Sequence, residues 1–289
     1  MKSAKTKDPN KIIVHASSLP KHQDCPRSWA ATPIKEVGER YELAPQGIGS
    51  VLGDRAHAGA ARMLLAKQLN GTWDYEQALE EQVEELKEIL RSAAITWDKT
   101  TKEPGVAIEQ LASLLFEFHR GVMPTANAAL VEMRMKAAWS ADLTLTGQMD
   151  NIERDGNLFK IFDHKFSSML SPYHAQLGCY KLLLEAQPWY QAEEGEVQEL
   201  ILNWIQRVSI RAKKGQPQVI QIAYSVDAAE SAARKQLEEI ERSVKEYRAT
   251  GDPWAFNARP SSKFCTKKTC RAFGTGFCDQ WIDLDPEED

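Results

Sequence analysis

Asp163 and Lys165 stand two residues apart in NLFKIFDHKFSS, residues 157–168. The aromatic and branched side chains of this segment read as a strand. Strand side chains alternate between faces, so Phe159, Ile161, Asp163 and Lys165 share one side. A carboxylate and an ammonium therefore follow two large apolar anchors, a pattern that also suits a strand running out into solvent. Asp150 lies in the middle of the preceding β-compatible segment, in TGQMDNI, with no charged partner close in sequence. The turn-like ERDGN makes the two segments antiparallel neighbours and brings Asp150 toward Asp163. Two converging carboxylates are costly when partly buried. A hard divalent cation removes that cost, and Mg²⁺ typically takes one or two carboxylates together with water and phosphate oxygens.

Other residue types bear on the same chemistry. Gln176 is the polar exception in an inner helical stripe of Tyr173, Leu177, Tyr180, Leu183 and Leu184. It lies one turn from Tyr180, so the two can face a shared site or tie up a core carbonyl. His57 sits among Gly53, Ala60, Ala61 and Leu64, which suits either a satisfied core histidine or a neutral imidazole ligand. Glu132 precedes Asp150 by one strand and reads by itself as a strand-edge charge.

The elements that must position these residues follow from periodicity and punctuation. Helices are expected over residues 49–71, ended by Gly71, over 74–97 with Asp74 as cap, and over 106–120 between Pro104 and Pro124. Strands follow at 129–139, 143–153 and 158–165. A helix over 171–186 is expected to start with Ser171 as cap and Pro172 in its first turn. Strands at 199–210 and 219–226 and a helix over 227–250 complete the order. The pattern predicts one α/β domain over residues 1–289, with a central mixed sheet flanked by helices. A flexible basic arm is expected at 1–12, a helical insertion at 72–124, a cysteine segment at 261–280 and an acidic tail at 283–289.

The 289 residues are 43% hydrophobic and 27% charged, enough for a sizeable core. No apolar run approaches the ~20 residues that span a bilayer, and the basic N-terminus lacks a secretory apolar segment. These features suggest a cytosolic protein. A net charge of −5 does not announce a nucleic-acid binder, although local basic patches rather than global charge decide that. Five cysteines are present, and clustered cysteines in a cytosolic chain more often bind metal than form disulfides.

His57 in a helix, Asp150 on a strand, Asp163-His164-Lys165 on the next strand and Gln176-x-x-x-Tyr180 on the following helix resemble the PD-(D/E)XK nuclease superfamily. The RecB-like exonuclease branch looks nearest, and the resemblance runs from about Ser18 to Cys278. It implies a restriction-endonuclease-like core in which His57, Asp150, Asp163 and the main-chain carbonyl of His164 hold Mg²⁺ or Mn²⁺. Lys165 would orient or activate the attacking water, and Gln176 and Tyr180 would position the DNA backbone and support the site. Glu132 matches an upstream acidic position that helps a second ion or orders the ligands of the first. The implied reaction is phosphodiester hydrolysis, in which a divalent ion draws charge from the phosphoryl oxygen and acidifies its water.

Cys25 in QDCPRSW, with Cys265, Cys270 and Cys278 in FCTKKTCRAFGTGFC, resembles the iron–sulfur staple of some RecB-like nucleases. The AddB nuclease domain and the CRISPR-associated RecB-like exonucleases are examples. Four thiolates suit a [4Fe–4S] cluster, and they also suit structural zinc. Cys179 is expected to be a small buried residue outside this set. Arg211, Lys213 and Lys214, with Lys263, Lys267, Lys268 and Arg271, are candidates for phosphate contacts. Trp29 or Phe166 could stack on an unpaired base, but taken residue by residue the basic side chains read rather as solvated surface charges and these two as core aromatics. The expected function is a metal-dependent DNA exonuclease acting on single-stranded or frayed ends in recombination, repair or phage DNA processing, with little sequence specificity. A structure-specific endonuclease and a non-catalytic DNA-end-binding subunit are the rival readings. A helicase or recombination partner is compatible with each of the three, since no helicase motif is present in the chain.

Overall fold

The computed structural model describes residues 11–32, 46–210, 215–262, 265, 266, 270 and 272–278. In chain order these form β1 (Ile12–His15), a 3-10 turn (Ala16–Ser18), α1 (Leu19–Asp24), α2 (Pro26–Ala30), β2 (Gln46–Gly47), α3 (Ile48–Asn70), α4 (Tyr75–Ser92), β3 (Ile95–Thr96) and α5 (Pro104–Gly121). Then come β4 (Ala128–Ala138), β5 (Leu143–Asp155), β6 (Leu158–Ser167), α6 (His174–Glu185), α7 (Pro188–Ala192), β7 (Glu196–Gln206), β8 (Ile220–Tyr224), α8 (Val226–Thr250) and a 3-10 turn (Pro253–Ala255).

A six-stranded mixed sheet is the centre of the molecule. β5 is its hub. β4 lies antiparallel along one edge of β5, while the other edge is shared by β1, parallel at Leu143–Thr146, and β6, antiparallel at Asn151–Asp155. β7 runs parallel to β6, and β8 closes the order antiparallel to β7. The α/β class with a mixed sheet between helices is thus the one expected from the sequence.

Alternation along β6 feeds two cores. Phe159 and Ile161 pack with α6 and α8, whereas Phe166 packs with Ile205 and the apolar stripes of α3, α4 and α5. Helices α6 and α8 meet at Gly178, where a Cβ would overlap the main-chain carbonyl of Ala229. Backbone cannot yield as a flexible side-chain tip can, so the glycine is what permits this contact. Gly178→Ala is expected to cost about 3 kcal/mol, which urea unfolding would register as a lower midpoint at unchanged slope.

Several boundaries differ from expectation. Ile12 belongs to β1, and residues 19–30 form two short helices, each opened by a proline in its first turn. Helix α4 stops at Ser92, and β-branched Ile95 and Thr96 pair with β2 instead of continuing it. Asp74 does cap α4, accepting from the Gln77 N–H at 2.9 Å. Gly71 ends α3 at φ +73°, a left-handed conformation in which it carries no Cβ penalty. Helix α6 begins at His174 with Tyr173 as its unbonded cap, so Ser171 and Pro172 belong to the preceding loop. Residues 1–10 of the expected arm and the tail at 283–289 lie outside the described residues.

Residues from opposite ends of the chain are fastened together. The Arg27 Nε donates to the Phe256 carbonyl at 2.9 Å, and Gln236 Nε2 donates to the Leu19 carbonyl at 2.8 Å. No helix among the described residues is long and apolar enough to cross a membrane.

Candidate active site

The site is built on a fork. β6 pairs with β5 as far as Asn151–Phe162 and then diverges, and β1 takes up the same edge of β5 only at Leu143–Thr146. Asp150 and Asp163 are the next opposed residues beyond the last pair. Backbone groups released from a ladder need other partners. The His164 N–H finds Asp150, donating to its Oδ2 at 2.6 Å. This charge-assisted bond pins the Asp150 carboxylate across the fork.

Asp163 is 1% exposed. Its Oδ1 accepts from Gln176 Nε2 at 3.0 Å, from Lys165 Nζ at 3.0 Å and, more loosely, from the Tyr180 hydroxyl at 3.4 Å. Gln176 Nε2 also donates to the Tyr180 hydroxyl oxygen at 2.8 Å. The Lys165 ammonium lies 2.8 Å from Asp163 Oδ2 and 5.1 Å from the centre of the Tyr173 ring, a cation–π contact. Alternation along β6 and one-turn spacing along α6 thus converge on a single carboxylate.

His57 on α3 approaches from the other layer. Its Nδ1 is 3.7 Å from Asp150 Oδ2, and its ring meets Phe166 edge-on. Desolvation first, and the Lys165 charge second, lower its pKa to about 4. The ring is therefore neutral at pH 7, so the contact with Asp150 is no ion pair and the imidazole keeps a lone pair for a cation. Burial likewise lowers His164 to about 4. The His164 Nδ1 pairs with Asn203 Nδ2 at 3.2 Å, Asn203 being its register partner on β7.

The charges at the fork do not balance. Burial, with the charge of Asp150, raises the pKa of Asp163 against the lowering pull of Lys165. Desolvation pulls Lys165 downward, but Asp163 and Asp150 outweigh it and hold the ammonium charged. Burial also keeps Tyr180 a phenol well above its ordinary range. Glu132 adds a further carboxylate. It lies between Val131 and Met133, whose partners on β5 are Asn151 and Met149 on either side of Asp150, and desolvation followed by the Asp150 charge raises its pKa to about 7. Its backbone has φ +53° in the middle of a strand, a conformation that costs a non-glycine residue about 1 kcal/mol or more. Such strain persists where surrounding structure imposes it, and it clusters at functional sites.

Asp150, Asp163, Lys165, Gln176, Tyr180, His57, His164 and Glu132 are thus brought together. Among the described residues, no three His, Cys, Asp or Glu groups are already gathered as a ready-made ligand set. Trp29 and Phe166 are core aromatics, the reading preferred for them, and are not placed to stack on a base. Both are buried, Trp29 against His22 and Phe256 and Phe166 against His57 and Phe118. The basic candidates Arg211, Lys213, Lys214, Lys263, Lys267, Lys268 and Arg271 lie outside the described residues.

A cleft of about 900 Å³ opens beside the fork and is lined by Lys165, Tyr173 and Gln176 together with Lys21, Leu170 and Arg259. The four cysteines Cys25, Cys265, Cys270 and Cys278 are buried and line one smaller cavity next to it. The cleft and the cysteine cavity share Asp24, Ser28, Arg259 and Ser262 as common walls. Cys179 is buried in α6, and burial pushes its thiol beyond the ordinary range, so it stands apart from this set. Tyr173 and Asn203 are contributors that sequence reasoning did not assign to the site. Tyr173 sits three residues before Gln176 on the same stripe, and Asn203 interrupts the apolar run LILNWI, which are the signals that mark them.

A family model described as the PD-(D/E)XK nuclease superfamily matches residues 15–272. No curated protein matches the chain. Among solved structures, one from Eubacterium rectale described as a "putative exonuclease" is similar in fold, with a TM-score of 0.52. The identity is 11%, over 84% of this chain and 85% of that one. The structure of SSO0001 aligns over 81% of this chain and 79% of its own, at 13% identity and a TM-score of 0.33.

Proposed function

The chain belongs to the PD-(D/E)XK nuclease superfamily, and from that premise we propose that it is a divalent-metal-dependent DNA exonuclease acting at single-stranded or frayed ends. The observation that carries this reading is the fork, where Asp150 and Asp163 are opposed while Lys165 is the ammonium that pairs with Asp163. The donor set fits a hard cation. Carboxylates outnumber the ammonium there, and a neutral imidazole stands 3.7 Å from Asp150. Asp150, Asp163, His57 and the His164 carbonyl would hold Mg²⁺ or Mn²⁺, with Glu132 beside Asp150 for a second ion. When bound, the metal supplies Lewis-acid polarisation of the phosphoryl oxygen and a more acidic water.

The chain's own groups do the rest. Lys165 presents a fixed positive charge to the phosphate, worth most in a site poor in water. Gln176 and Tyr180 hold the Asp163 carboxylate in one orientation, and the His164 N–H does the same for Asp150. Cys25, Cys265, Cys270 and Cys278 would hold a structural [4Fe–4S] cluster or zinc, a reading supported by their shared cavity. Such a staple would fasten α1 and α2 to the last segment of the chain. Work at DNA ends in recombination, repair or phage DNA processing, alongside a helicase or recombination partner, fits this chemistry.

The test uses anaerobically purified protein with end-labelled linear and circular single-stranded DNA, in Mn²⁺, Mg²⁺ or EDTA. Linear DNA is expected to be degraded only with metal, and circles are expected to survive. Cutting of circles would replace exonuclease by endonuclease, and intact DNA under every condition would overturn the nuclease reading. Metal analysis of the same preparation, expected to find iron or zinc, overturns the staple if both are absent.

A further inference from the structure

Asp163 uses its two oxygens unequally. Oδ1 accepts from Gln176, Tyr180 and Lys165. Oδ2 is buried and accepts no hydrogen bond among the described residues, and the Lys165 ammonium faces it at 2.8 Å as an ion pair. Oδ2 is therefore the oxygen left for a cation, and a positive charge already stands against it. Like charges repel strongly in a buried site, where the effective dielectric constant is far below that of water. Only 17% of the Lys165 side chain is exposed, so water cannot take over from Asp163 at little cost. A divalent ion and Lys165 can share this carboxylate only if the ammonium has another place to rest.

Tyr173 supplies that place. The centre of its ring lies 5.1 Å from Lys165 Nζ, within reach of cation–π attraction. A ring face attracts an ammonium without carrying net charge, so it leaves the balance of carboxylates and cations at the fork unchanged. Tyr173 is 8% exposed, and such contacts are strongest where water is kept out. Its backbone is held. The Leu177 N–H donates to the Tyr173 carbonyl at 3.0 Å, Pro172 restricts the chain just before it, and the ring of the next residue, His174, meets Tyr224 of β8 edge-on. Lys165 and Tyr173 both line the cleft, so an ammonium resting on this ring stays at the cleft wall.

We propose that Tyr173 is a positioning residue for Lys165: its ring takes the ammonium when Asp163 Oδ2 passes to a divalent cation, and so makes metal binding compatible with a charged lysine at the fork. The inference rests on the metal reading of the fork and deepens it. It is tested by Mn²⁺ binding to the protein without DNA, followed through the electron paramagnetic resonance of the free ion. The variants are Tyr173→Leu, Tyr173→Phe, Lys165→Ala and the double variant Lys165→Ala/Tyr173→Leu. Thermal midpoints without metal check that each is folded, and Tyr173→Met replaces Tyr173→Leu should leucine fail that check.

Tyr173→Leu is expected to raise the Mn²⁺ dissociation constant about tenfold, the size of a partly desolvated cation–π contact. Tyr173→Phe keeps the ring and is expected to bind Mn²⁺ as wild type does. Without Lys165 no ammonium needs a seat, so adding Tyr173→Leu to Lys165→Ala is expected to leave the affinity where Lys165→Ala alone puts it. An equal loss in both backgrounds would make Tyr173 a structural neighbour only and overturn the proposal. Wild-type affinity in Tyr173→Leu would overturn it too, and either result leaves the metal reading intact. Wild-type protein that binds no Mn²⁺ would overturn the metal reading and this inference together.

Discussion

Lys165→Ala is expected to cut DNA at less than about one-hundredth of the wild-type rate, the loss seen when one preorganised charge-stabilising donor is removed. The same substitution has a second effect that separates charge from folding. Asp163 is buried and would keep only Gln176 and Tyr180 as donors. Breaking a buried pair from one side costs about 3–5 kcal/mol. The folded-state pKa of Asp163 is already raised, and losing Lys165 raises it further. The native state then holds a proton that the unfolded state releases, so stability falls as pH rises above the ordinary carboxylate range. The metal-free variant should show a thermal midpoint that drops with pH more steeply than wild type. Mn²⁺ should recover much of the loss, because a ligand that binds only the folded state stabilises it by mass action. A variant that cuts at the wild-type rate would remove Lys165 from the chemistry.

Asp150→Asn should abolish metal-dependent cleavage while making the metal-free protein more stable. An amide oxygen can still accept from the His164 N–H, so the fork keeps its shape. What disappears is a negative charge opposite Glu132, whose pKa stands at about 7 through desolvation and that charge. Native protein therefore binds more protons than unfolded protein between the ordinary glutamate pKa and about 7, and stability is lost as pH rises through this window. The variant should flatten that decline and raise the midpoint near neutral pH by about 1–2 °C, as roughly 1 kcal/mol does in a chain of 289 residues. Calorimetry with and without Mn²⁺ checks both halves, since the variant should also lose the metal's stabilising shift. Gain of stability with loss of activity is the expected signature of a site held against its own electrostatics.

What could be read from the amino acids alone follows from how local each relation is. Asp163 and Lys165 are placed by the two-residue period of β6, and Gln176 and Tyr180 by one turn of α6, so their convergence was legible. The Asp150–Asp163 opposition needed only a tight turn between neighbouring strands. That Trp29 is a core aromatic was the preferred reading of its residue type, but its packing partner Phe256, more than 200 residues away, was not legible. Nor was the left-handed backbone of Glu132, since no short-range rule places positive φ within a strand. The four-residue β1 and the proline-opened α1 and α2 are too short to show a period, and their fold depends on β5 and α8. Phe166 is the core aromatic that its residue type favoured, but alternation tells which side a residue takes, not that α3, α4 and α5 cover that side.

The fastening of Leu19 and Arg27 to Gln236 and Phe256 bears on the order in which the molecule can be made. During translation the segment carrying Cys25 emerges early, yet its hydrogen-bonding partners and the other three thiols of its cavity are synthesised more than 200 residues later. At a ribosomal pace of about 5–20 residues per second, α1 and α2 must wait for residues 236–278 before they can dock. A wall of the cleft is therefore completed only after both aspartates have been made, so a nascent chain that already carries them still lacks a finished groove.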